Sequence, residues 1–306
     1  MNVPSIVNRI YIFVSCLDSI TAFAFLTLAL VYRHQCFNFP ALLACNTALT
    51  VFFSSANHVA IGVYMFIWDQ YENPNIDTLC SLRAYFHHST MACIHFSFIL
   101  LALERYCKVR QLKLLATPWR KTCTVLFQWI VGFTFTLPAL VTGNMPKMAS
   151  DNLCFVTLLK PEFMVYQSVT TLLTTDVTLG ILYRSLVRHV REVSSKLNNN
   201  QQTWMRRDLT MVRRIVLLNF QLAIVGIPIL IVVILTLIRV DLIPHKIMRM
   251  LLLLSNLPFS PMLIVLLLLT PDLRKSLIEC RNKLKHCRST DITPVHPIVF
   301  INHAQR

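Results

Sequence analysis

Glu104 and Arg105 stand side by side at the end of a strongly apolar stretch, LLALERYCKVR. An acid and a guanidinium held where a helix leaves hydrocarbon can pair, and a guanidinium left alone there is costly. Two more acids, Asp18 and Asp176, fall inside apolar stretches, where burying a charge is expensive enough to mark a functional candidate. His87 and His88 add neighbouring imidazoles that can donate, accept, or gain a proton below about pH 6.5. No Gly-rich phosphate loop, His/Cys metal spacing or matched pair of acids on neighbouring apolar stretches accompanies them. The chain is therefore not expected to be an enzyme, and no cofactor or metal is expected.

The elements that position these groups are read from hydropathy. The 306-residue chain is 55% hydrophobic and 14% charged, with a mean hydropathy of +0.57, whereas soluble domains are about 25% charged. Some twenty apolar residues of helix cross a hydrocarbon core of ~30 Å. Seven such runs appear, at Ile10–Tyr32, Phe39–Trp68, Leu79–Tyr106, Thr122–Val141, Phe163–Val187, Ile215–Ile238 and Ile247–Leu269. Their length, and the need of lipid-exposed backbone to satisfy its own hydrogen bonds, favour helices over strands. The expected fold is an all-α membrane protein: a seven-transmembrane helix bundle over residues 10–270, preceded by residues 1–9 and followed by a short amphipathic C-terminal helix and tail over 271–306. No cleavable pattern precedes the first run, which is expected to be retained as a span.

Most of the 29 lysines and arginines fall on one side: at Arg33, between Arg105 and Lys121, between Arg184 and Arg214, and from Arg274 onward. Cytoplasmic loops carry the Lys/Arg excess, so the tail is expected in the cytoplasm and residues 1–9 outside. The net charge of +15 then describes an inner face attracted to anionic membrane lipid. Its basic residues are divided among short loops without a DNA- or RNA-binding motif, so nucleic acid is not an expected partner.

Glu104, Arg105 and Tyr106 form an acid-Arg-Tyr triplet at the inner mouth of the third run. Cys80 lies 25 residues before Arg105, Cys154 falls in the outer loop after the fourth run, Trp129 precedes Pro138, and Pro228 and Pro261 sit in the sixth and seventh runs. Tyr183 occupies the inner half of the fifth. In this order the chain resembles the rhodopsin-like (class A) G-protein-coupled receptors, from the first span to the tail helix. The resemblance implies a Cys80–Cys154 disulfide on the oxidising side of the membrane, a plasma-membrane location, an extracellular ligand and a heterotrimeric G protein as partner.

The resemblance also implies an activation switch of Glu104, Arg105, Tyr106, Tyr183, Asp208, Pro228 and Pro261. In it Arg105 is held by Glu104 or by Asp208, which is twenty residues before Pro228 and so at the inner end of span six. The chain departs from the family at several places. Val225-Gly226-Ile227-Pro228 replaces Cys-Trp-x-Pro, Ile264 stands where Asn-Pro-x-x-Tyr has its tyrosine, and Val51, or Thr50, stands where the sodium-coordinating aspartate is found. Span five has no proline, with Thr175 near its place.

His87, eighteen residues before Arg105, takes the position where amine-binding relatives have an aspartate, so an aminergic ligand is disfavoured. The expected pocket combines His87, Tyr85, Asn57, Tyr64 and Gln167 as polar anchors with an apolar wall of Ile229, Val233, Met250 and Leu254, and suits a small ligand or short peptide. After Pro271, Leu273, Leu277, Ile278 and Leu284 share a face flanked by basic residues, as in a helix lying on the inner leaflet. Cys280 and Cys287 are candidates for palmitoylation there. The rival readings are a membrane transporter and a seven-helix protein that does not couple. No internal repeat or matching pair of broken spans supports the first.

Overall fold

The computed structural model describes residues 3–32, 38–70, 77–115, 117–148, 152–156, 161–194, 199–238 and 247–290. The helices are α1 (Val3–Val31), α2 (Phe39–Trp68), α3 (Cys80–Val109), α4 (Pro118–Val141), α5 (Pro161–Ser168), α6 (Thr174–Ser194), α7 (Asn199–Ile238), α8 (Ile247–Asn256), α9 (Phe259–Leu269) and α10 (Pro271–Thr290). A single π turn, Val169–Leu173, joins α5 to α6, and between α4 and α5 a hairpin pairs β1 (Lys147–Met148) with β2 (Leu153–Cys154) in antiparallel register.

Among the described residues, five helical segments are long and apolar enough to cross a membrane: Ser5–Val31, Phe39–Trp68, Cys80–Val109, Pro118–Val141 and Ile247–Leu269. Gly226–Ile238 is a shorter apolar stretch. The run expected over Phe163–Val187 is divided by the π turn, and its second part, α6, carries Asp176, Arg184, Arg188 and Arg191. Two expected boundaries also move. The first helix begins at Val3 rather than Ile10, and α7 runs back to Asn199, well before Ile215, because the polar residues from Asn199 to Arg214 continue the helix without a proline or glycine to stop it.

Local signals set several ends. Asn38 caps α2 by accepting a hydrogen bond from the Ala41 amide at 2.9 Å, with Pro40 in the first turn. Gly143, at φ +67°, closes α4. Its amide bonds to the Leu140 carbonyl and that of Asn144 to the Ala139 carbonyl, a left-handed stop for which glycine incurs no steric cost.

Helix α3 runs through the middle of the bundle. Lipid tails are as apolar as leucine, so close packing and interhelical hydrogen bonds must hold spans together. On α2, Ala41, Ala44 and Ala48 are fully buried and let neighbours approach. Trp129 of α4 donates to Asn46 Oδ1 at 2.8 Å, Asn46 donates to Gln128 Oε1 at 2.9 Å, and Gln128 donates to the Cys93 carbonyl at 2.7 Å. Three spans are thus joined by amides that satisfy one another. Thr47 adds a bond to Ser97 Oγ at 2.9 Å.

Helices α3 and α4 approach closely at Gly132. A Cβ there would overlap Cys93 Sγ and lie 3.4 Å from the Ser89 carbonyl oxygen. Gly132→Ala is expected to destabilise the protein by about 1–3 kcal/mol through overpacking. Adding Cys93→Ala should recover most of that loss in thermal unfolding of the purified protein, because the new methyl then fills the space vacated by sulfur.

Candidate functional site

The hairpin roofs one end of the bundle. A disulfide joins Cys154 on β2 to Cys80, the first residue of α3, with Cα atoms 5.4 Å apart. Ser81 donates to the Met145 carbonyl at 2.8 Å, fixing the loop to the same helix end. Lys147 lies over the Trp68 ring, with Nζ 3.5 Å from the centroid, and burial holds its ammonium below the usual lysine range. From Cys154 the chain passes inward, so that Phe155 packs on His88 with centroids 4.5 Å apart.

Beneath this roof lies a partly open cleft of about 90 Å³. Phe155 and Val156 cover it, His87, His88, Met91 and His95 of α3 form one wall, and Met248, Leu251 and Leu252 of α8 face them. Gln167 and Thr171, from α5 and the π turn, and Ile229 of α7 complete it. Among the described residues, no carboxylate, ammonium or guanidinium lines the cleft. Its polar side chains are imidazoles, hydroxyls and one amide, all able to hydrogen-bond.

Those groups are held from behind. His87 Nδ1 lies 2.6 Å from His58 Nε2 of α2, so one of the two nitrogens must carry the shared proton. Gln167 donates to Thr136 Oγ1 at 3.2 Å. His95 Nδ1 faces Asn219 Oδ1 of α7 at 3.3 Å, and Asn219 Nδ2 donates to Asp176 Oδ1 of α6. A side chain of the cleft is therefore connected to both α6 and α7 in the middle of the bundle.

Eighteen residues at 1.5 Å per residue place Arg105 about 27 Å along α3 from His87, five full turns away and on the same helical face. Arg105 Nε is 3.1 Å from Glu104 Oε2, and both side chains are about nine-tenths buried. Tyr106 meets Ser185 of α6 through its hydroxyl at 3.3 Å. Tyr106 and Tyr183 pack on an apolar cluster of Val109, Leu186, Val190 and Val212 that joins the ends of α3, α6 and α7. Pro228 lies within α7. Pro261 lies in α9, just past the break at Leu257 and Pro258 that separates α8 from α9. Beside it Ser260 donates to Asp18 Oδ1 from its amide at 3.0 Å and its hydroxyl at 2.5 Å, tying α1 to α9. Asp208 lies on α7, and its side chain is outside the described residues, as is that of Cys287 on α10. Cys280 is a partly buried free thiol.

Of the residues expected to line the pocket, His87, Gln167 and Ile229 do so. The rest lie elsewhere. Tyr85 turns toward α4 and donates to the Phe133 carbonyl at 3.1 Å. Asn57 donates to the Arg83 carbonyl at 2.9 Å, and the Tyr64 ring lies under the Arg83 guanidinium at 3.9 Å. Val233 is packed in the outer core. Met250 and Leu254 are exposed on the outside of the bundle, because on a 3.6-residue helix they sit opposite Met248 and Leu252.

Sequence reading missed Asp69 and Arg249, which sit at the rim. Arg249 of α8 donates from Nη1 and Nη2 to the two oxygens of Asp69, at the end of α2, at 2.5 and 2.6 Å. Asn152 of the hairpin donates to Asp69 Oδ1 at 3.0 Å. An acid and a base at the outer ends of the second and seventh runs are visible in sequence, but each alone is an ordinary interfacial charge.

The arrangement is a cleft roofed by the hairpin at one end of α3 and a buried ion pair at the other. The family model for the 7 transmembrane receptor (rhodopsin family) matches residues 24–263. No curated protein matches the chain. The match takes in the cleft, the disulfide and the Glu104-Arg105-Tyr106 triplet, and the chain belongs to the rhodopsin family of seven-transmembrane receptors.

Proposed function

We propose that the protein is a plasma-membrane receptor that couples a small, uncharged, mostly apolar extracellular ligand to a heterotrimeric G protein. The seven spans are α1, α2, α3, α4, the α5–α6 unit, α7, and α8 with α9. Residues 1–9 lie outside, and α10 with the tail lies in the cytoplasm. The observation that carries the reading is the pairing on one helix of a cleft under a disulfide-held roof, lined by no charged side chain among the described residues, with a buried Glu104–Arg105 pair five turns away.

Span six has no tryptophan before Pro228 to touch a ligand. His95 and Asn219 supply a different connection, since a ligand pressing on His95 acts directly on α7 and, through Asn219, on Asp176. A ligand shifts the equilibrium only by binding one arrangement better. Here that arrangement has α7 moved off the inner cluster, so that Arg105 leaves Glu104, and Asp208 as a second holding acid, and meets the G protein.

The test is nucleotide exchange on purified G protein with the receptor in nanodiscs, across a panel of neutral lipophilic molecules and matched amines. Neutral members should activate and their amine analogues should not. Activation by amines but not by their neutral analogues would overturn the ligand class.

A further inference from the structure

Two donors at the roof of the cleft have no acceptor among the described residues. Nζ of Lys147, on β1, is shielded from water and makes neither a hydrogen bond nor an ion pair there. The Trp68 indole beneath it, at the end of α2, is 9% exposed, and its Nε1 is likewise buried without a partner. The indole face offsets part of the hydration that the ammonium loses, but it gives neither N–H group an acceptor, and a buried donor left so is costly. The neighbouring carboxylates are taken: Asp69, next to Trp68 in sequence, accepts from Arg249 and Asn152, and Asp77 pairs with Arg83.

We infer that Lys147 and Trp68 form a site for the carboxylate of a small extracellular organic acid, distinct from the molecule in the cleft; the inference rests on the proposed placement of the hairpin outside the membrane. Neither residue lines the cleft. The indole N–H points outward in the plane of the ring, whereas the ammonium stands over its face, so acceptors must approach from two directions. Two oxygens on one carbon do this, while a halide is a single atom and meets one donor well only at the expense of the other. The ammonium supplies a charge-assisted bond and carries the charge that selects an acid. With the lysine laid on the ring both donors are shielded, so the flexible four-carbon stem rotates to admit the acid, a side-chain change common on binding. The bound carboxylate joins β1 to the end of α2, alongside the Asn152–Asp69 bond, and so fastens the roof.

The experiment is saturation-transfer NMR of the full chain in nanodiscs of neutral lipid, titrated with benzoate or with its uncharged isostere benzamide. Benzoate should bind and benzamide should not. Lys147→Gln should weaken benzoate at least tenfold, Lys147→Arg should retain most of the binding, and Trp68→Phe, which keeps the ring but removes the N–H, should weaken it about tenfold. Arg120→Gln, which removes a charge elsewhere, should leave it unchanged. Equal binding of benzamide, a loss in Lys147→Gln no greater than in Arg120→Gln, or displacement of benzoate by an equal concentration of chloride would each overturn the inference. Benzoate binding through Lys147 by a chain that activates no G protein would sink the receptor reading and leave this one standing, whereas activation by neutral molecules without benzoate binding would do the reverse.

Discussion

Asp69→Ala is expected to lower stability by about 3–5 kcal/mol, the cost of removing one partner of a buried ion pair. The Arg249 side chain is 3% exposed and Asp69 28%, so the substitution removes the carboxylate from a guanidinium that water hardly reaches. Asp69 also receives Asn152 from the hairpin, so α2, α8 and the roof of the cleft meet at this one carboxylate. The measurement is thermal unfolding of the purified protein, where a loss of this size lowers the apparent Tm by roughly 10 °C. Asp69→Ala/Arg249→Leu removes both charges and should recover most of the loss, because an apolar pair in such a place is often as stable as the ion pair. An unchanged Tm in Asp69→Ala would show that water solvates the guanidinium and that the pair is worth no more than one on an open surface.

Arg105→Gln is expected to reduce G-protein activation roughly 30-fold or more, the loss typical of a central interfacial arginine. The single change also leaves the buried Glu104 without its ion-pair partner at 3.1 Å. Folding and coupling are separated by Glu104→Gln/Arg105→Gln, which removes both charges of the pair. Its apparent Tm should return to within a few degrees of the parent while nucleotide exchange stays low. Recovery of exchange in the double variant would show that the arginine only stabilises the inner end of α3, and the coupling role would be withdrawn.

These two ion pairs differ in how readily the sequence showed them. Glu104 and Arg105 are adjacent, so any helix that contains one places the other beside it, and the triplet with Tyr106 marked the position. Asp69 and Arg249 are 180 residues apart and meet only because α2 and α8 end at the same rim. The cleft followed the same logic. His87 was found by counting turns along α3 from Arg105, and Gln167 and Ile229 by their depth in the fifth and sixth runs. Met250 and Leu254 lie at a matching depth but face out of the bundle, because the depth of a residue is set by its distance along a helix, whereas its facing depends on how that helix is rotated against its neighbours. His58 and Asn219, which hold the histidines of the cleft, have no local signal.

By itself the sequence determined a chain built of apolar helices and the positions of five of its membrane-length segments, and its ordered landmarks carried the family resemblance that implied the Cys80–Cys154 disulfide. These depend on hydrophobic length and on residue types at fixed intervals along one chain. Tertiary structure alone decided which faces of α5, α7 and α8 turn inward, that no charged side chain among the described residues lines the cleft, that His95 reaches Asn219, and that Arg214 and Arg274 share a space. The physical reason is that a membrane rewards every apolar face alike, so the rotation and partners of each helix are fixed by side-chain packing and buried hydrogen bonds between segments far apart in the chain.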